Sequence, residues 1–328
     1  MDKMNLSDID RKLFGLLQAE FPLTRHPYAD LGSGLGIGER EAIERIGQLK
    51  AAGVIRQIGP VLDARSLGYR TTLVAMRVPE EQIDKAAPLI VEHPGISHGY
   101  ERNHYYNLWF TMAVPAMGDM ETEISGLAEL IKAEAFFELP AIKLFKLRVH
   151  FALEEDKQTG GNNHHARVRK RAARLSLEDR MVINELQQDL PLVARPFADM
   201  AQRLSMDEGD FLSQCRSVLR RGIMRRFSAA VNHRTVGFTA NGMACWIAPP
   251  EKVAALGQKL ASLRQVSHCY ERKTNPLWRH NMFAMIHAKT REECRQVAAM
   301  VSAEAGLADY IMLFSTREFK KTRVKYLA

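Results

Sequence analysis

The sequence predicts an α+β protein in which a winged helix-turn-helix and a ferredoxin-like βαββαβ domain occur twice in tandem. Three observations predict this fold class. The two halves of the chain resemble each other, each half begins with helix-period hydrophobic patterns, and each then changes to alternating strand and helix patterns. The chain has 328 residues, 46% hydrophobic and 26% charged, which is typical of a globular protein with room for more than one domain.

The internal repeat is clearest in two pairs of segments. Residues 6–11 (LSDIDR) reappear as residues 175–180 (LSLEDR), and residues 97–102 (SHGYER) reappear as residues 267–272 (SHCYER). The offset between the copies stays at 169–170 residues across these segments. Because a duplicated module tends to pair with itself as the subunits of a homodimer do, we expect the two halves to form a pseudo-dimer.

Helical periodicity predicts three helices and a wing at the start of each copy. In the first copy these are a helix capped by Asp8 that buries Ile9, Leu13, Leu16 and Leu17, a short helix at 27–31, a third helix at 38–51 that buries Ile43, Ile46 and Leu49 and ends at Gly53, and a wing hairpin at 54–63.

The pattern then reads as βαββαβ in both copies. The predicted elements are 71–78, 80–93, 96–102, 108–114, 119–134 and 142–151 in the first copy, and 241–248, 250–263, 266–272, 281–288, 290–305 and 310–319 in the second. The predicted domains are a winged helix-turn-helix at 1–62, a βαββαβ domain at 63–154, a basic linker at 155–174, and the second copies at 175–232 and 233–328.

Charge and cysteine content restrict the class of protein. The net charge is +8, but residues 157–174 alone hold six Lys and Arg and no acid, so we expect a solvated linker there, with a polyanion-binding arm as the alternative. The four cysteines form no CxxC pair, which argues against a disulfide scaffold and for a reducing cytoplasm. The polar start of the chain predicts that there is no secretory signal. The sequence has no apolar run of about 20 residues, so we expect no membrane partner.

The third helix of each copy begins with acidic residues. Glu39, Glu41 and Glu44 occupy the start in the first copy, and Asp207, Glu208 and Asp210 do so in the second. A DNA reader would place basic and amide side chains there, because the DNA backbone is negatively charged. The sequence therefore predicts no sequence-specific DNA binding.

The candidate site lies in the βαββαβ domains. On a strand with a period of two, His98, Tyr100 and Arg102 share one face, and the repeat places His268, Tyr270 and Arg272 on the equivalent face. The following turn and strand add a second set of candidates: His104, Asn107 and Trp109 in the first copy, and His280 in the second. Aromatic rings, guanidinium groups and imidazoles together suit a large, flat ligand with several carboxylates. The alternative is a salt-bridged strand face without function.

The winged helix followed by βαββαβ resembles the leucine-responsive and asparagine-regulator (Lrp/AsnC) family. The segments GISHGYERNHYYNLWFTM and VSHCYERKTNPLWRHNMFAM more specifically resemble the siroheme decarboxylases, in the form where two Lrp-like subunits are fused into one chain. This resemblance implies loss of carbon dioxide from the C12 and C18 acetates of siroheme, in the biosynthesis of d1-type haem or of haem by the siroheme route. It also implies that no cofactor is added and that the iron belongs to the substrate and not to a metal site of the protein.

The resemblance and the chemistry together assign roles to the candidates. Protonation of a ring carbon would let the macrocycle accept the electrons left by carbon dioxide, and histidine is a suitable proton donor. We expect His98 and His104 to be catalytic, as proton donors or orienting groups, with ligation of the iron as the alternative. The expected substrate-binding residues are Tyr100, Arg102, Asn107, Trp109, His268, Tyr270, Arg272 and His280.

The two copies are not expected to contribute equally. His104 has no histidine at the aligned position of the second copy, where His280 aligns with Tyr106 instead. We therefore expect the first copy to matter more for catalysis. Two alternatives would share the pocket, namely a tetrapyrrole-sensing Lrp-like regulator and a haem chaperone. Homodimerisation and association with other subunits of the same pathway are left open.

Overall fold

The computed structural model describes residues 6–147, 172–231 and 240–326. The first copy consists of α1 (Asp8–Ala19), α2 (Pro27–Ser33), α3 (Glu39–Ala51), β1 (Ile55–Leu62), β2 (Tyr69–Arg77), α4 (Glu80–Glu92), β3 (Ile96–Arg102), β4 (Leu108–Pro115), α5 (Met120–Ile131) and β5 (Ala135–Leu147). The second copy consists of α6 (Leu177–Leu186), α7 (Pro196–Arg203), α8 (Glu208–Arg220), β6 (Met224–Val231), β7 (Ala240–Trp246), α9 (Pro250–Ser262), β8 (Val266–Arg272), β9 (Met282–Ala288), α10 (Arg291–Ala305) and β10 (Tyr310–Lys321). The tandem α+β fold and the βαββαβ order are confirmed in both copies.

The first helix begins one residue earlier than the sequence predicts. Ser7, not Asp8, is the N-cap, because its hydroxyl accepts a hydrogen bond from the Asp10 amide while the Asp10 carboxylate accepts one from the Ser7 amide. The buried face is also rotated from the prediction, since Phe14 is buried and Leu16 is 39% exposed. The second copy repeats the capping box at Ser176.

The predicted wing hairpin is wrong. Strand β1 does not fold back on a strand of its own copy but pairs antiparallel with β6 of the other copy, with Ile58 opposite Ala229. The duplication supplies a twin strand, and pairing the twins buries Ile58 and Phe227 completely in one core that both helix-turn-helix units share. The Tyr28 hydroxyl crosses the same junction and donates to the Pro191 carbonyl at 2.7 Å.

The two βαββαβ sheets join into one closed eight-stranded barrel, in the order β10-β3-β4-β2-β5-β8-β9-β7. Strand β5 makes this possible because its first half, up to Pro140, pairs with β2 and its second half, from Ala141, pairs with β8 of the other copy. Strand β10 does the same with β7 and then β3. Closure leaves the barrel without an unpaired edge strand, and the pairing has the form expected of a pseudo-dimer.

Strand β5 begins at Ala135, seven residues before the start that the sequence predicts. The predicted linker at 155–174 and the predicted boundary between residues 232 and 233 lie largely outside the described residues. Of that linker, residues 172–174 are described, and the Ala173 amide donates to the Ser66 carbonyl at 2.8 Å. Within the described parts of the chain, no helix is long and apolar enough to cross a membrane.

Candidate active site

Strand β3 presents His98, Tyr100 and Arg102 on the face turned away from helix α4. Gly99 lies on the helix-facing side, where an added Cβ would collide with Ile90 of that helix. On the other face the Arg102 guanidinium lies over the Tyr100 ring, 5.4 Å from its centroid, and donates to the Leu313 carbonyl of β10 at 3.1 Å. The shared face that the strand period predicts is therefore present.

Strand β8 repeats this arrangement in the second copy. The Arg272 guanidinium lies 4.7 Å from the centroid of the Tyr270 ring and donates to the Leu139 carbonyl of β5 at 2.7 Å. Each arginine thus binds the long strand that crosses from the other copy. The two Tyr–Arg pairs consequently belong to one site region at the junction of the two βαββαβ domains.

The histidines of these faces, His98 and His268, lie near each other and are partly buried. Burial, reinforced by the positive charges of Lys321 and Arg56, lowers the pKa of His98 to about 4. Burial, the neighbouring His98 and Lys321 lower the pKa of His268 to about 3. Both imidazoles are therefore neutral near pH 7 in the protein without ligand.

Arg56 is paired with Glu318 at 2.8 Å, but other arginines around these histidines have no carboxylate partner in the described parts of the chain. Arg102, Arg226, Arg272 and Arg323 make no ion pair with any carboxylate in residues 6–147, 172–231 and 240–326. The Nε atoms of Arg102, Arg226 and Arg272 are buried without a hydrogen-bond partner. Burial lowers the pKa of Arg102 and that of Arg323 to about 10. Since an unpaired buried charge is costly, this region is built to receive anions.

His104 and His280 lie away from that group, beyond the other end of β3. They line a separate cavity of about 370 Å³, together with Tyr106, Trp278 and Asp309. Nδ1 of His104 accepts a hydrogen bond from the Tyr106 amide at 3.1 Å, and Nε2 of His280 lies 3.9 Å from a carboxylate oxygen of Asp309. Burial lowers the pKa of both histidines. The structure therefore pairs His98 with His268 and His104 with His280, and does not bring His98 and His104 together.

Two predicted substrate-binding residues have structural contacts. The Asn107 side chain accepts a hydrogen bond from the Val78 amide at 2.9 Å and donates to the Val78 carbonyl at 2.8 Å. Trp109 is 1% exposed, donates to the Tyr106 carbonyl at 2.7 Å, and packs 5.1 Å from Trp278 inside the barrel. Their contact with a substrate stays a prediction, and the protein already uses their polar groups.

Sequence reasoning missed several residues of the His98–His268 region. Arg226 reaches it from β6 of the helix-turn-helix unit, and Lys321 and Arg323 reach it from the end of the chain. Ser267 and His287 form hydrogen bonds behind His268. The serine was visible in the repeated SH pair, whereas His287 has no histidine counterpart in the first copy and gave no repeat signal.

The helix-turn-helix units use basic side chains internally. Arg221 forms an ion pair with the buried carboxylate of Asp179 at 2.7 Å, and Arg225 does so with Asp63 at 2.6 Å. Glu208, at the start of α8, is 6% exposed. Both arginines are therefore held by carboxylates of the protein, and the absence of sequence-specific DNA binding stays a prediction.

The fold and the site together define a tandem protein of the AsnC-like ligand-binding class, with a group of arginines that have no carboxylate partner among the described residues. The family model for an AsnC-like ligand binding domain matches residues 66–146 and 235–320, and the model for a siroheme decarboxylase NirDL-like HTH domain matches residues 10–56 and 179–225.

Similar proteins agree with these models. The chain is 36% identical to a siroheme decarboxylase of Hydrogenobacter thermophilus, over 97% of this chain and 94% of that relative. It is 37% identical to a siroheme decarboxylase beta subunit of Methanosarcina barkeri, which matches 45% of this chain with 97% of its own length. A crystal structure of the siroheme decarboxylase NirDL with an iron-uroporphyrin III analogue aligns with a TM-score of 0.74 and 33% identity, covering 98% of this chain and 95% of that one.

The chain belongs to the siroheme decarboxylase family, in its fused form. The predicted resemblance, the fold class and the assignment as a decarboxylating enzyme are confirmed. The alternative of a transcriptional regulator is not supported by these relatives.

Proposed function

We propose that this chain removes carbon dioxide from the C12 and C18 acetates of siroheme at the junction of its two βαββαβ domains. The observation that carries the proposal is a group of three arginines, Arg102, Arg226 and Arg272, whose Nε atoms are buried without a hydrogen-bond partner and which have no carboxylate partner in the described chain. Siroheme brings several carboxylates on a flat macrocycle, and bidentate guanidinium–carboxylate contacts would neutralise both partners. The rings of Tyr100 and Tyr270 beside those arginines offer surfaces for a macrocycle.

The reaction replaces a carboxylate by a proton at one carbon. The bond between the acetate methylene and its carboxylate breaks, the electron pair enters the macrocycle, and carbon dioxide leaves. A proton is added overall, so that the acetate becomes a methyl group. Protonation of a ring carbon before the bond breaks makes the macrocycle a better electron acceptor.

His98 and His268 are the proposed proton-handling groups of this region. In the protein without ligand they are neutral, because burial and nearby cations lower their pKa to about 4 and about 3. Bound carboxylates would oppose those cations and raise the pKa of the imidazoles toward neutrality. Binding of substrate would thus prepare the proton donor, while Arg102 and Arg272 hold the carboxylates that do not react.

The proposal includes no added cofactor, since the macrocycle is itself the electron acceptor. It places the enzyme in the cytoplasm, a reducing compartment that fits the four buried, unpaired cysteines: Cys215, Cys245, Cys269 and Cys294. Association of the chain with itself or with other subunits of the pathway remains a prediction.

Anaerobic incubation of the purified chain with siroheme, followed by mass spectrometry, tests the proposal. We expect the mass of the tetrapyrrole to fall by two carbon dioxide units. The Arg102→Ala, Arg272→Ala double variant should bind siroheme poorly, whereas Arg40→Ala, which removes an exposed cation paired with Glu44, should act as wild type. Siroheme that remains intact with folded wild-type protein would overturn the proposal.

A further inference from the structure

Three side chains of the second copy form a continuous hydrogen-bonded chain behind the site. The Ser267 hydroxyl oxygen lies 2.7 Å from Nδ1 of His268 and 2.6 Å from Nε2 of His287. Ser267 and His287 are each 5% exposed, so water does not compete freely for these contacts. His287 lies on β9, next to the strand that carries His268.

The first copy has only part of this chain. The Ser97 hydroxyl oxygen lies 2.9 Å from Nδ1 of His98, as Ser267 does from His268. The position of His287 is occupied by Ala113: the Ala113 amide donates to the Gly95 carbonyl at 2.8 Å, just as the His287 amide donates to the Gln265 carbonyl at 2.9 Å. The two copies can therefore be compared directly. In the second copy the serine contacts a second histidine, and in the first copy it does not.

The second histidine restricts the protonation pattern of the first. A serine hydroxyl has one hydrogen to donate, so at most one of the two ring nitrogens that face Ser267 can accept it, and at least one of them must carry a proton. Both rings are neutral near pH 7, since burial lowers the pKa of His268 and of His287 to about 3. The two tautomers are therefore coupled. In the first copy, the Ser97 hydroxyl can donate to His98 or accept from it, and neither tautomer is selected.

We propose that His287 is a positioning residue that acts through Ser267 to fix the tautomer and ring orientation of His268, so that the second half of the chain handles the proton of the decarboxylation. The proposal rests on the proposed function. It reverses the expectation from the sequence that the first copy matters more for catalysis. That expectation is based on the number of histidines in each copy, whereas the structure shows that, among the described residues, only His268 has a second histidine hydrogen-bonded to its serine. The same principle applies to metal-bound histidines, in which the hydrogen bond made by one ring nitrogen fixes the tautomer and the orientation of the ring.

Single-turnover kinetics on matched variants test the catalytic part. His287→Ala gives the second copy the residue of the first, and should lower the rate about 10- to 100-fold while changing siroheme affinity about twofold or less, as expected for loss of a supporting hydrogen bond. His287→Gln keeps a donor and acceptor at the position of Nε2 and should restore most of the rate. Ser267→Ala should resemble His287→Ala, whereas Ser97→Ala, its match in the first copy, should lower the rate less.

Nitrogen-15 NMR of histidine-labelled protein tests the structural part without siroheme. The ring nitrogens of His268 should report one tautomer in the wild type and a mixture in Ser267→Ala and His287→Ala, with the folded state of each variant checked by thermal melting. A mixture in the wild type, or equal rates in wild type, Ser267→Ala and His287→Ala, would overturn the inference. Because those outcomes are read against an active wild type, they are distinct from intact siroheme in the wild type, which would overturn the proposed function instead.

Discussion

Two half-buried histidine pairs lie at the two ends of strand β3, and they differ in their charged surroundings. Near His98 and His268 lie Arg226 and Arg272, which make no ion pair with a carboxylate of the described residues. His104 and His280 have Asp309 nearby and pack against Tyr106 and Trp278. The first pair lies in surroundings with an excess of positive charge, which an anionic ligand would balance. The charges around the second pair nearly cancel without a ligand. Charge balance therefore separates residues that look equivalent in the sequence.

The largest expected effect is that of removing an imidazole from the cationic pair. His268→Ala should lower turnover by about 10²–10⁴-fold with little change in siroheme affinity, because a proton donor contributes mainly to the transition state. The same substitution at His104 should have a clearly smaller effect. Single-turnover decay of siroheme under anaerobic conditions measures both. A larger loss in His104→Ala would place the reacting acetate in the cavity of His104 and His280, and an altered absorption spectrum of the His268→Ala complex would indicate iron ligation.

A smaller effect is expected when one guanidinium of the cationic region is removed. Arg272→Ala should weaken siroheme binding about 10- to 100-fold, since a charge-assisted hydrogen bond to a carboxylate is worth about 1.5–3 kcal/mol. Arg77→Ala is the matched control, because Arg77 is paired with Glu134 and lies over the ring of Tyr105, in the turn that carries His104. Absorbance titration under anaerobic conditions gives both affinities. Equal losses in the two variants would remove the distinction between the two regions.

The smallest expected effect is on the pH dependence of stability. In the unfolded chain the pKa of histidine is about 6.5, whereas His98 and His268 have pKa values of about 4 and about 3 in the folded protein. Between pH 6.5 and 4 the unfolded state therefore binds protons that the folded state does not. The free energy of unfolding should fall with decreasing pH, by at most about 1.4 kcal/mol per pH unit for each histidine.

Urea unfolding at several pH values measures this dependence in the protein without ligand. The His98→Gln, His268→Gln double variant should lose less stability on acidification than the wild type, because glutamine does not titrate. The His104→Gln, His280→Gln double variant should change the slope less, since Asp309 offsets part of the effect of burial on the pKa of His280. If the free energy of unfolding depends on pH equally in all three proteins, the two histidine pairs do not differ in how burial and nearby charges shift their pKa values.

The sequence predicts much of this fold because most elements are local. The helix over Glu80–Glu92 and the strand over Ile96–Arg102 follow from short-range periodicity, and the repeat confirms each prediction a second time. The pairing of β1 with β6 could not be predicted, since it joins residues far apart in the chain and depends on how two copies dock. The sequence of a single strand does not indicate which other strand it pairs with.

The site is predictable to the same extent. The shared face of His98, Tyr100 and Arg102 follows from the strand period. The meeting of His104 with His280 does not, because a linear comparison aligns His280 with Tyr106 and cannot show that two turns close over one cavity. His287 was missed for a related reason: its importance lies in a contact with Ser267 across neighbouring strands, and not in a repeated motif.

Covalent fusion of two copies that exchange the ends of β5 and β10 fixes the stoichiometry of the barrel at one of each half. Two separate identical chains would have to carry every substitution twice, once in each half of the assembly. Here the halves can diverge independently, and they have: Arg226 corresponds to Gln57 and His287 to Ala113. One half is thus free to specialise in chemistry while its twin keeps the strand pairing that holds the barrel closed.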